Sequence, residues 1–66
     1  MRIICNGEEQ EVRAGITLVE LLQDLELNPD TVVVECNGTI VGREKYDGLV
    51  LPENGRLELI RFVGGG

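Results

Sequence analysis

The 66-residue chain has no histidine and no tryptophan, and holds one tyrosine, one phenylalanine, two cysteines and two prolines. Each shortage excludes something. Without histidine, the commonest general base and metal ligand is missing. Small secreted domains usually replace a thin core with several disulfides, whereas here Cys5 and Cys36 stand far apart, in no Cys-x-x-Cys pair. With no histidine to complete a zinc site, two cysteines inside apolar runs read as reduced, buried thiols. Basic residues are also scarce. Six Lys and Arg against twelve Asp and Glu give a net charge of −6, which argues against a nucleic-acid partner, since phosphate backbones need cations. The longest unbroken apolar runs are three residues (Ile3–Cys5, Val32–Val34, Leu49–Leu51), far below a membrane span, and the apolar N-terminal stretch is too short for a signal peptide. The expectation is a soluble cytoplasmic protein without nucleic-acid or membrane partners. A chain of this size buries only ~60% of the surface its unfolded form exposes, so a self-contained enzyme pocket is not expected. The domain should act through a partner.

What the chain does have is nine glycines and clear punctuation. Asn6-Gly7 separates strand candidates at 2–6 and 8–13, and this dipeptide supplies the positive φ angles of a tight hairpin turn. Gly15 breaks the chain before Thr17-Leu18-Val19-Glu20, a capping box in which hydroxyl and carboxylate each satisfy a free backbone N–H. Leu18, Leu21, Leu22 and Leu25 then recur at i, i+3, i+4 and i+7 as one apolar stripe. The spacing predicts an amphipathic helix over 17–27, ended by Asn28-Pro29 because proline cannot donate a backbone N–H. Residues 31–36 are rich in β-branched side chains and read as a strand. Asn37-Gly38 turns it, more simply than it marks a glycosylation triplet with Thr39, and residues 39–41 return a short partner. Residues 42–47 read as irregular, 48–51 as packing back, Pro52–Gly55 as a turn and 56–63 as the last strand. One helix stripe covering one face of a single mixed sheet is an α+β two-layer arrangement. With the two terminal strands side by side at the sheet centre, the layout is a β-grasp, with four to five strands and one main helix.

The chain closes on Val63-Gly64-Gly65-Gly66. Three residues without side chains extend ~10 Å at ~3.3–3.6 Å each, and a bare backbone passes through channels that would stop any Cβ. The functional group at the tip is the α-carboxylate of Gly66. No helix follows, so this is not a phosphate-cradling loop.

Taken with the order of elements, these residues resemble the ubiquitin-like sulfur carriers, and among them the ThiS-type carriers of thiamine biosynthesis. The likeness runs the length of the chain. It takes in Met1–Gly7, Ala14-Gly15 before Thr17, Val19-Glu20-Leu21-Leu22 and Asn37-Gly38, then Val41-Gly42-Arg43-Glu44 with Tyr46, and the glycine ending. Two turn positions depart from the pattern: Gly42, where the family often has proline, and Asn54-Gly55, where it has Gly-Asp. The resemblance implies a β-grasp domain over residues 1–63 and a flexible glycine tail over 64–66. It implies that a ThiF-like adenylating enzyme activates the Gly66 carboxylate with ATP, with Gly64 and Gly65 recognised in the tail. A relay fed by a cysteine desulfurase then forms the thiocarboxylate, and a ThiG-like thiazole synthase takes the sulfur. The carrier would be a substrate and not an enzyme, monomeric when free, with no permanently bound cofactor and no metal. The small subunit of molybdopterin synthase, which uses the same thiocarboxylate, and a ubiquitin-like protein modifier are the alternatives.

Strand alternation adds a surface. If Leu57 and Leu59 face the helix, Ile60 and Phe62 face outward, and in the first strand Ile3 and Cys5 point inward and Ile4 outward. Adjacent first and last strands would then bring Ile4, Ile60 and Phe62 together beside Val63. This apolar patch, leading into the tail, is the expected docking surface, with the single phenylalanine as its anchor. The acidic residues Glu8, Glu9, Glu11, Glu20, Asp24 and Glu26 read chiefly as a solubilising surface, and Arg43 with Glu44 as a structural ion pair.

Overall fold

Both Asn-Gly pairs adopt the backbone that the dipeptide favours. Asn6 (φ 51°) and Gly7 (φ 83°) turn β1 (Arg2–Cys5) onto β2 (Glu8–Glu11), and Asn37 (φ 52°) and Gly38 (φ 85°) turn β3 (Val32–Cys36) onto β4 (Thr39–Ile40). Positive φ at both central positions gives a two-residue turn whose twist matches the flanking strands. The computed structural model describes residues 1–61. Within them the last strand, β5 (Arg56–Arg61), inserts between β1 and β3, and the sheet runs β2-β1-β5-β3-β4. β5 is parallel to β1 and antiparallel to β3. The helix α1 (Leu18–Asp24) lies on one face, which completes the ubiquitin-like β-grasp. The two sheet edges are poor templates for further pairing: β2 carries three glutamates in four residues and β4 is two residues long, and charge and brevity both discourage edge-to-edge association.

The helix is shorter than the 17–27 its sequence suggests, and each end has an identifiable cause. At the start, Thr17 Oγ1 accepts from the Glu20 N–H at 3.3 Å while Glu20 Oε1 accepts from the Thr17 N–H at 2.9 Å, the reciprocal cap. The two remaining free donors go to the loop that packs alongside: Leu18 N–H donates to the Leu49 carbonyl at 2.8 Å and Val19 N–H to the Tyr46 carbonyl at 3.1 Å. Every orphan N–H of the first turn thus has a partner. The end comes before Asn28-Pro29. Glu26 takes a left-handed backbone (φ 59°), Glu26 N–H donates to Gln23 and Leu27 N–H to Leu22, the double bond of a Schellman cap with glutamate where glycine is usual. That reversal folds Leu27 back against the core and leaves Leu25, the expected fourth member of the stripe, 37% exposed.

The core joins Ile3 and Cys5 of β1, Leu18, Leu21 and Leu22 of α1, Val32 and Val34 of β3, and Leu57 of β5. Ile16, Tyr46 and Leu51 close it. Residues 42–47, expected to be irregular, contain a 3₁₀ turn at Arg43–Lys45 that delivers Tyr46 into this core, where its hydroxyl donates to the Val32 carbonyl at 2.8 Å. The expected Arg43–Glu44 ion pair is not formed. Arg43 Nε donates instead to the Pro29 carbonyl at 3.2 Å and its guanidinium stands 6.0 Å from the centre of the Tyr46 ring. Glu44, one step along the turn, folds its carboxylate back over Gly42. Cys36 also departs from expectation, being half-buried while Cys5 is buried. It is the last residue of β3, where the strand gives way to the turn.

Candidate functional site

Of the residues singled out for chemistry, the structure describes Ile60, near the end of β5, and Ile4, beside its beginning. Phe62, Val63, Gly64, Gly65 and Gly66 lie outside the described residues, so the structure shows the root from which they depart. β5 is paired with β3 from Cys36 opposite Leu57 to Val32 opposite Arg61. With β1 it pairs only at its beginning, Ile4 opposite Arg56 and Cys5 opposite Leu57. Asn6 prolongs that shorter ladder. Its N–H donates to the Leu57 carbonyl and its Oδ1 accepts from the Leu59 N–H, both at 2.8 Å. The sequence marked Asn6 only as a turn former; its side chain also imitates one more residue of strand.

Alternation along these strands separates two faces. Leu57 is buried and Leu59 half-buried on the helix side, while Ile60 is 46% exposed on the other. Ile3 and Cys5 are buried, and Ile4, between them, is half-buried. The single patch of Ile4 with Ile60 is not what the register produces. Ile4 stands opposite Arg56, and Ile60 lies four residues further along β5, about 13 Å at ~3.3 Å per residue. The neighbour of Ile60 is Val33 of β3. Next on that face, Glu35 and Glu58 stand directly opposite each other, with Ile40 of β4 beside Glu35. Two facing carboxylates oppose sheet pairing, and no strand-by-strand reading of the sequence could place them together.

Burial pushes the Cys5 thiol up, with the charges of Glu58 and Glu8 adding to the effect, and burial does the same to Cys36. A thiol with a raised pKa carries little thiolate near neutrality and is a poor nucleophile or metal ligand. Among the described residues no group of three or more His, Cys, Asp or Glu could hold a metal ion, and no helix is long and apolar enough to cross a membrane. What the described residues supply is a central strand held in register by β3 as far as Arg61, five residues before Gly66.

Comparison with known proteins gives this arrangement a family. The ThiS family matches residues 2–66. The chain is 38% identical over 50 residues to the sulfur carrier protein ThiS of Bacillus subtilis, covering 76% of each chain. It is also 42% identical over all 66 residues to a thiazole synthase of Magnetococcus marinus and 35% identical to one of Paramagnetospirillum magneticum. The chain spans 20% of the length of each of these two relatives. Among solved structures, a crystal structure of the thiamine biosynthesis protein ThiS from Geobacter metallireducens superposes with a TM-score of 0.83 at 32% identity, covering the whole of both chains. A match that runs from the first strand through the terminal glycines, joined to the same sheet and helix, assigns the chain: it belongs to the ThiS family of ubiquitin-like sulfur carriers of thiamine biosynthesis.

Proposed function

We propose that the chain carries sulfur on the carboxylate of Gly66. A ThiF-like adenylating enzyme couples that carboxylate to AMP at the expense of ATP, a relay fed by a cysteine desulfurase converts the acyl adenylate to a thiocarboxylate, and a ThiG-like thiazole synthase withdraws the sulfur. Activation is needed because a carboxylate is a poor electrophile until its oxygen becomes part of a leaving group. Adenylation supplies that group, and loss of AMP to a sulfur nucleophile leaves C–S in place of C–O. The chain provides no acid, base or metal for these steps; it is the substrate of the enzymes that do, and ATP is the only cofactor called on. Such chemistry belongs in the cytoplasm, where ATP and reduced thiols are available.

The observation that carries the reading is the family match through residue 66, which includes the three glycines. Two others support it. β5 bonds to β3 as far as Ile60 and keeps register with it as far as Arg61, which fixes the strand that precedes the tail. The relatives in which a segment like this chain makes up a fifth of a thiazole synthase favour that enzyme as the acceptor. In the same reading Gly64 and Gly65 let the tail enter a narrow channel, Ile60 docks from the outer sheet face, and Phe62 and Val63 are further docking contacts. Ile4 contributes at a distance, beside Arg56.

The test is intact mass after incubation with the cognate adenylating enzyme, ATP and a sulfur source. The expected result is the gain of one sulfur for one oxygen, located on Gly66, and its transfer on adding thiazole synthase. Deleting Gly65-Gly66 should abolish the gain, and Ile60→Glu should slow it at limiting enzyme. No gain with a competent enzyme rejects the function, and transfer to molybdopterin synthase but not to thiazole synthase rejects the pathway.

A further inference from the structure

Past the end of β1, one edge of β5 has no neighbouring strand among the described residues. The β1 ladder stops at Cys5 opposite Leu57, Asn6 extends it as far as the Leu59 N–H, and the chain then turns away at Gly7. Which backbone groups remain follows from the alternation of an antiparallel pair. The Arg56 carbonyl accepts from Asn37 on the β3 side, whereas the Leu57 carbonyl accepts from Asn6 on the β1 side. Even-numbered residues of β5 therefore bond toward β3 and odd-numbered ones toward β1. The Leu59 carbonyl and both polar backbone groups of Arg61 point into the space that β1 does not reach. On the helix side of that open edge is a notch of about 310 Å³, lined by Leu25, Leu27, Leu59 and Cys5, with Asn6, Glu8, Gln10 and Arg61 as its polar groups. Among the described residues no carboxylate lies within ion-pair distance of Arg61. The exposed Leu25, left outside the core by the Schellman cap, faces this notch.

We propose that the notch is a strand-addition site for an extended segment of the thiazole synthase. That segment pairs with β5 across Leu59–Arg61, places an aliphatic side chain among Leu25, Leu27 and Leu59, and sets a carboxylate against Arg61. Three features select this occupant. Unpaired strand groups are satisfied by another extended backbone. The apolar side of the notch, formed by Leu25, Leu27 and Leu59, takes one aliphatic side chain, and a guanidinium with no carboxylate at ion-pair distance among the described residues takes one from the partner. The thiazole synthases in which a segment like this chain makes up a fifth of the length select the enzyme; the notch lies near the end of β5, on the face opposite Ile60 and Val33, so that enzyme holds the end of the strand from both sides of the sheet. The inference rests on the proposed function for its partner and adds a second contact to it.

A 66-residue chain is within reach of total synthesis, so the backbone itself can be tested. N-methylation of the Arg61 amide removes the N–H on the open edge and leaves the β3 ladder intact, because that N–H points away from β3. Leu25→Asp charges the notch at an exposed position. Binding of each variant to thiazole synthase, without ATP, is measured by titration calorimetry, with thermal unfolding to show that both variants fold. Each change is expected to weaken binding by about tenfold or more, the loss of roughly one interfacial hydrogen bond or apolar anchor. Wild-type affinity in both variants overturns the notch while leaving sulfur carriage standing. Failure of the unmodified chain to bind the synthase overturns the notch and the synthase partnership together. A concentration-dependent dimer of the free chain that N-methylation abolishes would give the notch to a second copy and overturn the assignment to the synthase.

Discussion

Tyr46→Phe isolates one oxygen atom in the core. Tyr46 is 4% exposed and its hydroxyl donates to the carbonyl of Val32, a fully buried residue, at 2.8 Å. Val33 and Glu35 are the β3 residues whose backbones bond toward β5, so Val32 turns its carbonyl the other way and depends on the tyrosine. Removing the hydroxyl keeps the ring and its packing but leaves a buried acceptor unsatisfied, which costs about 1–3 kcal/mol. A 66-residue domain has roughly 3–10 kcal/mol of total stability at ~0.05–0.15 kcal/mol per residue, so this single atom decides a large share of it. Taking about 2 kcal/mol, the melting temperature should fall by roughly 8–16 °C for a domain of this size. In urea the midpoint should drop with the slope unchanged, since the surface exposed on unfolding is the same. The Tyr46 carbonyl also accepts from Val19 in the first turn of α1, so amide exchange at Val19 should quicken more than at Leu57. A loss below about 0.5 kcal/mol would refute the reasoning, because such a value belongs to a surface substitution and would mean that the Val32 carbonyl is served by water.

Gly42→Pro should stabilise the fold by about 0.4–1 kcal/mol through the unfolded chain. Gly42 already has φ −64°, the Glu44 carboxylate over it is the mobile end of a side chain, and a urea midpoint that falls would show that the Glu44 contact matters. In alkylation time courses with mass readout Cys36 should react before Cys5, as it is half-buried and Cys5 is buried; equal rates would contradict the burial. Both thiols have raised folded-state pKa values, so the stability linked to keeping them neutral is complete below the unfolded value of ~8.5 and is lost as pH rises above it. Cys5→Ala should flatten part of that alkaline fall. Glu20 behaves oppositely: its hydrogen bonds with the Thr17 backbone and hydroxyl hold it below the usual carboxylate range, with Arg13 helping. Its contribution is present above that range and disappears as pH falls through the folded value, so Glu20→Gln should shallow the acid limb of the stability curve.

Much of this protein is legible locally. The sign of φ at Asn6-Gly7 and Asn37-Gly38, the reciprocal cap of Thr17 and Glu20, and the face on which Leu57 or Ile60 lies are set by a residue and its near neighbours. The glycine tail is legible for the same reason, because its property is the lack of side chains. What the sequence could not supply was register between segments distant along the chain. Alternation tells which face a residue occupies, yet sliding β5 by two residues against β1 keeps every face the same. Ile4 and Ile60 therefore share the face expected from their parity but not the position, and Glu35 meets Glu58 without any local sign of it. The end of α1 and the partner of Tyr46 were hidden for a related reason. A left-handed glutamate and a hydroxyl reaching from residue 46 to residue 32 take their geometry from the packing of the whole core, which exists only once helix, loop and sheet have closed upon one another.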